Sequence, residues 1–277
     1  MTSSIHASTS GPDSIAASFV AARRGGTALP DFPGRIPVSL AEAYRVQDAA
    51  IRLWPDTIVG WKVGGIVPEL REPDGDGRLV GPIFTRNLRS AQGGYGLDFP
   101  VFFGGFAAIE AELVFRIGRD APESQTDWTA QQALDFADSL HIGVETAGSP
   151  LATINELGPR VVVSDFGNNA GLLLGDPIPG WRNDAFTPLD CISRIEGQEV
   201  GRGTVDALLG APAMALAFAL SRCARNGRPL RAGDLITTGA ITGIHDIVCG
   251  ESASVQFGSI GEIHCHAVDA RHFGASA

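Results

Sequence analysis

Ile109, Ala111, Leu113, Phe115 and Ile117 alternate with Glu110, Glu112, Val114 and Arg116. That period of two predicts a half-buried strand near 107–117. Shorter apolar runs predict strands near 141–146, 160–165, 171–174, 234–238, 252–257 and 261–267. Another, over 58–63, enters a glycine-rich turn at Gly64-Gly65. Asp13 to Arg24 reads as a short helix ending before Gly25-Gly26. Ser39 and Glu42 form a capping box ahead of Leu40, Ala43, Tyr44, Gln47, Ala50, Ile51 and Trp54, which keep helical spacing until Pro55 stops them. Two more helices are predicted over 127–140 and 211–225. Pro212 suits the first turn of the latter and Asn226-Gly227 its C-terminal cap.

Strands interrupted irregularly by helices predict a mixed α+β architecture, not a regular doubly wound sheet. Residues 1–12 are Ser/Thr-rich and poor in apolar groups, and read as a disordered start. Residues 13–96 form a smaller N-terminal α/β region, and 97–277 a β-rich domain.

Composition narrows the classes. The 277 residues suffice for one large domain or two small ones. A formal charge of −10 and the lack of any Lys/Arg-rich run exclude a nucleic-acid-binding surface. The longest helix-compatible apolar run, around Ala211 to Leu220, is far too short to span a membrane. The start, Met1 to His6, lacks the basic and apolar regions of a secretory signal. Cys191, Cys223, Cys249 and Cys265 form no C-x-x-C pair, so the expectation is a cytoplasmic protein with reduced thiols. No dinucleotide fingerprint, P-loop, nucleophile elbow or H-E-x-x-H is present.

The chemistry concentrates in carboxylates. Two apart on a strand, Glu110 and Glu112 share a face. Glu145, in a second apolar run, could complete an oxygen-rich site for a hard divalent ion. Two carboxylates about 5 Å apart repel by roughly 3 kcal/mol at an effective dielectric near 20, which a cation or a retained proton relieves. Glu-x-Glu equally suits the solvated side of an edge strand. Lys62 is the only lysine among 21 basic residues, either by chance or because its task needs a group that can lose its proton. Other features have plainer readings. The aspartates of Pro73 to Gly77 suit a surface turn, and His264 and His266 an exposed C-terminal strand. His141 suits either a supporting place behind Glu145 or a satisfied core position, and His245 either the cavity mouth or a loop.

In chain order the landmarks are Ala43-Tyr44-Arg45-Val46-Gln47, Gly60-Trp61-Lys62-Val63-Gly64, Glu110 with Glu112, Glu145, Ser164-Asp165-Phe166-Gly167-Asn168-Asn169-Ala170-Gly171, and Gly233-Asp234-Leu235-Ile236-Thr237-Thr238-Gly239. From about residue 40 onward this order resembles the 2-keto-4-pentenoate hydratase family. That family includes 2-oxohept-3-enedioate hydratase and 4-oxalocrotonate decarboxylase and lies within the fumarylacetoacetate hydrolase superfamily. The resemblance implies an α+β fold, a mixed β-roll of the fumarylacetoacetate hydrolase C-terminal type with a small helical N-terminal region. Residues 97–277 would be the metal-binding catalytic domain.

The resemblance further implies Mg²⁺ or Mn²⁺ held by Glu110, Glu112 and Glu145, and a small 2-oxo acid substrate that chelates the ion. It implies a homo-oligomer, with no nucleic-acid or membrane partner. Lys62 maps onto the family's active-site lysine, as acid/base or as carboxylate binder. Asp165 would orient water or Lys62, unless it only caps a turn, and Asn168 and Thr238 would contact substrate. The implied reaction adds water to a 2-hydroxy-2,4-dienoate in aromatic catabolism, giving a 4-hydroxy-2-oxo acid. Metal-dependent decarboxylation, or a non-catalytic assembly partner of such an enzyme, is the alternative. Hydrolytic carbon–carbon cleavage fits less well, since no histidine lies between His6 and His141. Relatives often read Asp-Asn-Ala-Ser-Ser where this chain has Asp165-Phe166-Gly167-Asn168-Asn169. Thr242-Gly243-Ile244-His245-Asp246 also departs from the expected apolar turn, which points to a side branch with its own substrate.

Overall fold

The computed structural model describes residues 11–73, 75–91, 96–182 and 187–273. Residues 1–10 of the expected disordered start lie outside them, as does Asp74 of the surface turn. Pro12 already belongs to α1 (Pro12–Gly25), which Gly26 ends in the left-handed conformation at φ 60°. In α2 (Leu40–Leu53) the Ser39 side chain accepts the Glu42 amide as predicted. The Glu42 carboxylate, however, takes the amide of Val38. α1 and α2 bury Ile15, Phe19 and Val46 against Phe84 and Phe166, a core separate from that of the sheets.

The strands are β1 (Ile58–Gly65), β2 (Arg78–Phe84), β3 (Leu88–Ser90), β4 (Leu97–Val101), β5 (Phe106–Ile117), β6 (Ala137–Ser149), β7 (Asn169–Pro177), β8 (Leu189–Ile195), β9 (Gln198–Val205), β10 (Leu235–Thr237), β11 (Ile244–Asp246), β12 (Ser252–Phe257) and β13 (Gly261–Asp269). Three further helices are α3 (Ala130–Leu134), α4 (Pro159–Ser164) and α5 (Ala211–Arg225). The larger sheet runs β2-β1-β10-β5-β6-β7-β3, with β11 beside β5; the smaller runs β4-β13-β12-β8-β9. Leu113, Phe115, Leu140, Ile142 and Phe257 fill the main core. The mixed α+β expectation is borne out. Strands from both sides of residue 97 share the larger sheet, so β1 brings Lys62 to the same layer as β5 and β6.

Several predicted elements are corrected. The β-branched run over 160–165 is not a strand but α4. Gly158 at φ 90° and Pro159 start a helical turn there, which buries Val161 and Val163. The helix expected over 127–140 shrinks to α3, capped by Thr129, because the chain is already in β6 by Ala137. The supposed turn at Gly64-Gly65 is the end of β1. β2, β3, β4, β8, β9 and β11 were not foreseen. β2 carries Pro82 and lies at the sheet edge, where a missing N–H is tolerated. β9 shows no apolar alternation, and little of it is buried.

Candidate active site

β5 and β6 pair over nearly their whole length, in a register that sets Glu110 opposite Glu145 and Glu112 opposite Gly143. Gly143 is needed there, because a Cβ would lie 2.6 Å from a Val114 methyl. One oxygen from each of Glu110, Glu112 and Glu145 lies within 4.8 Å of the others, and all three residues are buried. The reading of Glu-x-Glu as a solvated strand face is therefore wrong. Lys62 joins them through β1, with Nζ 3.2 Å from Glu145 Oε1 and donating to Asn168 Oδ1 at 3.1 Å.

Each carboxylate is held by its own neighbours. β10 pairs with β5 only as far as Thr237, opposite Val114, and the chain then peels away from the sheet. The amides of Thr238 and Gly239 turn onto Glu112 Oε2 at 2.6 and 2.5 Å. Gly239 holds φ 106°, a conformation open to glycine but not to ordinary side chains. The carbonyls of Leu113 and Ala111, left without a strand partner, are taken by Thr238 Oγ1 and the Ile241 amide. Glu145 accepts from Asn169 Nδ2 at 3.2 Å and Thr237 Oγ1 at 3.3 Å. Glu110 Oε1 and Glu112 Oε1 are buried without any hydrogen-bond partner.

The electrostatics are unbalanced. Three carboxylates and one ammonium leave a formal charge of −2 in a buried space. Burial first, and then Glu145, push Glu110 up to about 7 against the opposing pull of Lys62. Burial, Glu145 and Glu110 raise Glu112 well above the carboxylate range, despite the Gly239 amide and Lys62. Burial alone would lower the Lys62 ammonium, but Glu145, Glu110 and Glu112 together lift it above its ordinary value. A hard divalent cation fits these residues. The donors are all oxygen, the charge deficit is two, and two buried oxygens lack partners.

The cluster opens onto a cavity of about 530 Å³ that Lys62, Glu110, Asn168 and Thr238 line together with Asn155 and Arg78. Among the described residues its wall contains no histidine and no aspartate. Asn168 is presented by an unusual turn. Phe166, Gly167 and Asn168 all have positive φ, at 53°, 65° and 55°. A left-handed phenylalanine costs about 1–2 kcal/mol. The turn leans on Gly81 of β2, where a Cβ would sit 2.0 Å from the Phe166 carbonyl oxygen.

Asp165 is placed elsewhere. Its carboxylate receives Arg23 Nε at 2.5 Å and Nη2 at 2.9 Å, plus the Ser149 hydroxyl at 2.6 Å. Among the described residues no hydrogen bond joins it to Lys62. It ties α1 to the strands instead, since Arg23 also donates to the carbonyls of Gly148 and Asn169. His141 is satisfied by the Gly175 carbonyl and the Ser139 hydroxyl. His245 turns to Thr242, and its neighbour Ile244 lines the cavity. His264 and His266 are half-exposed beside Glu262 and Asp98. Sequence reasoning gave no role to Asn169, Thr237 and Gly239, although each lies within a landmark motif next to Asn168 or Thr238, which it did assign.

Fold and cluster together define a mixed β-roll built around three buried glutamates. Residues 100–274 match the family described as fumarylacetoacetate (FAA) hydrolase C-terminal, and the chain belongs to that family. It is 31% identical over 160 residues to 2-keto-4-pentenoate hydratase of Paraburkholderia xenovorans, covering 58% of this chain and 55% of that protein. The match thus spans about half the length of that relative. A longer alignment, 25% identical over 268 residues, relates it to 2-keto-4-pentenoate hydratase 1 of Dechloromonas aromatica, covering 91% and 95% of the two chains. Among solved structures, 4-oxalocrotonate decarboxylase from Pseudomonas putida G7, complexed with magnesium and adipate, superposes with a TM-score of 0.74 at 20% identity. That superposition covers 93% of this chain and 97% of the other. The expected family is therefore borne out.

Proposed function

We propose that this chain is a divalent-metal-dependent lyase that hydrates a 2-hydroxy-2,4-dienoate to a 4-hydroxy-2-oxo acid. The observation that carries the reading is the convergence of Glu110, Glu112 and Glu145, two with orphaned oxygens, beside buried Lys62 at a cavity wall. The hydratase names of the relatives from P. xenovorans and D. aromatica support it. Mg²⁺ or Mn²⁺ suits the donors, and the ion, when bound, supplies positive charge that favours the enolate form of a 2-oxo acid.

Lys62 carries the proton. A cation held by the three carboxylates would weaken their lift on the Lys62 ammonium and leave burial, which lowers it, to favour proton release. Asn168 fixes Nζ from the other side, and the Thr238 and Gly239 amides keep Glu112 aimed at the ion. The apolar wall around Ile66, Leu79 and Val162 keeps bulk water from the diene.

Decarboxylation of a 2-oxo acid is the second reading. It is favoured by a relative named 4-oxalocrotonate decarboxylase, 24% identical over 243 residues and covering 86% of this chain. One experiment addresses both. Purified protein is loaded with Mg²⁺ and incubated with 2-hydroxypenta-2,4-dienoate or 4-oxalocrotonate, with and without excess EDTA, and the products are read by NMR. The hydratase reading expects EDTA-sensitive formation of the 4-hydroxy-2-oxo acid. EDTA-sensitive release of CO₂ without hydration supports the second reading. Failure to bind a divalent ion at all sinks both.

A further inference from the structure

The cavity contains one cation that the proposed chemistry does not use. Arg78 opens β2 and lines the same cavity as Glu110 and Lys62. It is half-buried, yet among the described residues it forms no salt bridge. Its one hydrogen bond is a long one, 3.5 Å from Nη2 to the Ala211 carbonyl. Nearby carboxylates are engaged elsewhere: Asp76 pairs with Arg222, and Glu72 accepts the Leu40 amide. Arg71 adds further positive potential. Burial and the neighbouring Arg71 both disfavour the charged guanidinium, and only Glu112 favours it. A half-buried guanidinium in a substrate cavity, with no salt-bridge partner among the described residues, is a costly arrangement unless a ligand supplies one.

Position says which part of a ligand that is. In the β1–β2 ladder Lys62 faces Gly81, whereas Arg78 faces Gly65. Three residues along antiparallel strands is roughly 10 Å and turns the side chain to the opposite face, so Arg78 reaches this cavity from the end of β2, beside Gly65 and Ile66. The wall around Arg78 is apolar, formed by Ile66, Val67, Leu70 and Leu79. A ligand with its 2-oxo acid head at the glutamates would pass its carbon chain along this wall and end at the guanidinium.

Resting on the proposed 2-oxo acid function, we infer that Arg78 is a specificity-determining residue that binds a second carboxylate, so that the chain selects 2-oxo dioates over 2-oxo acids with uncharged tails. The test measures binding of 2-oxohexanedioate and 2-oxopentanoate to the Mg²⁺-loaded protein by calorimetry. The two probes share a head and differ in the distal charge. Wild type binds the dioate about tenfold tighter or better. Arg78→Met abolishes the preference and leaves 2-oxopentanoate unchanged, while Arg78→Lys keeps part of it. Equal affinity of wild type for both probes overturns the inference. So does an equal loss for both in Arg78→Met, which would put the guanidinium on the head carboxylate. Either of those results, with head binding still Mg²⁺-dependent, leaves the proposed function standing. If 2-oxopentanoate binding does not depend on Mg²⁺, the proposed function fails and this inference with it.

Discussion

Glu110 and Glu145 face one another as a registered cross-strand pair, two carboxylates on neighbouring antiparallel strands with Lys62 bound to only one of them. Like charges directly opposite destabilise a sheet. Glu110→Gln is therefore expected to raise the melting temperature of the metal-free protein at pH 8 by about 2–4 °C. The same change weakens Mn²⁺ binding by about tenfold or more, since one anionic donor is lost. Thermal melts with EDTA and a Mn²⁺ titration check both halves. A substitution that leaves metal affinity intact would remove Glu110 from the ion's donors.

The pH dependence has a definite sign. Glu110 titrates at about 4.5 when unfolded and is pushed up to about 7 in the fold. Between those values the folded state holds a proton that the unfolded state has released, so stability falls as pH rises. Metal-free protein should lose roughly 5 °C in melting temperature from pH 5 to pH 8. Divalent-ion affinity should move the opposite way, rising through pH 7 as proton competition fades. Calorimetric melts and titrations at four pH values suffice. A flat profile for the metal-free protein would mean that the carboxylates are not strained as described.

Lys62→Met should abolish turnover, by about a hundredfold or more, while keeping the divalent ion, because Glu110, Glu112 and Glu145 remain. Lys62→Arg should not rescue it, since a guanidinium cannot give up its proton. Single-turnover assays beside Mn²⁺ titrations separate the two effects. Recovery of activity in Lys62→Arg would reassign the group as a fixed anion binder.

Asp165→Ala leaves Arg23 buried without its counter-charge and should cost about 3–5 kcal/mol of stability. Arg23→Met should cost a similar amount, and the double replacement much less than the sum. Urea melts of the three variants measure this. The surviving folded fraction should retain its metal affinity, because Asp165 contacts none of the glutamates.

How much of this was legible in the sequence depends on distance along the chain. Glu110 and Glu112 were found because alternation is a local signal, and the single lysine stood out by count. The β-roll was recognised from motif order. The pairing of Asp165 was not foreseen because Arg23 lies 142 residues away and nothing local announces a bidentate pair. Asn169 and Thr237 were passed over beside Asn168 and Thr238, because both members of each pair reach the cluster only through the way β7 begins and β10 ends. α4 hid behind valines whose preference for strands is overridden by packing. β9 carries so little apolar surface that no periodicity could reveal it.

β1 reaches β5 only by way of β10, a three-residue strand that follows Lys62 by more than 170 positions. Emerging from a ribosome, the chain thus presents its lysine early and its three glutamates midway, and cannot fasten them together until Leu235–Gly239 arrives. A strand made late in the chain closes a gap opened by the first, which makes assembly of this site a late and non-local event. Pulse-labelled nascent chains halted before residue 235 should therefore stay sensitive to protease across β1 and β5, and gain protection together once β10 is released.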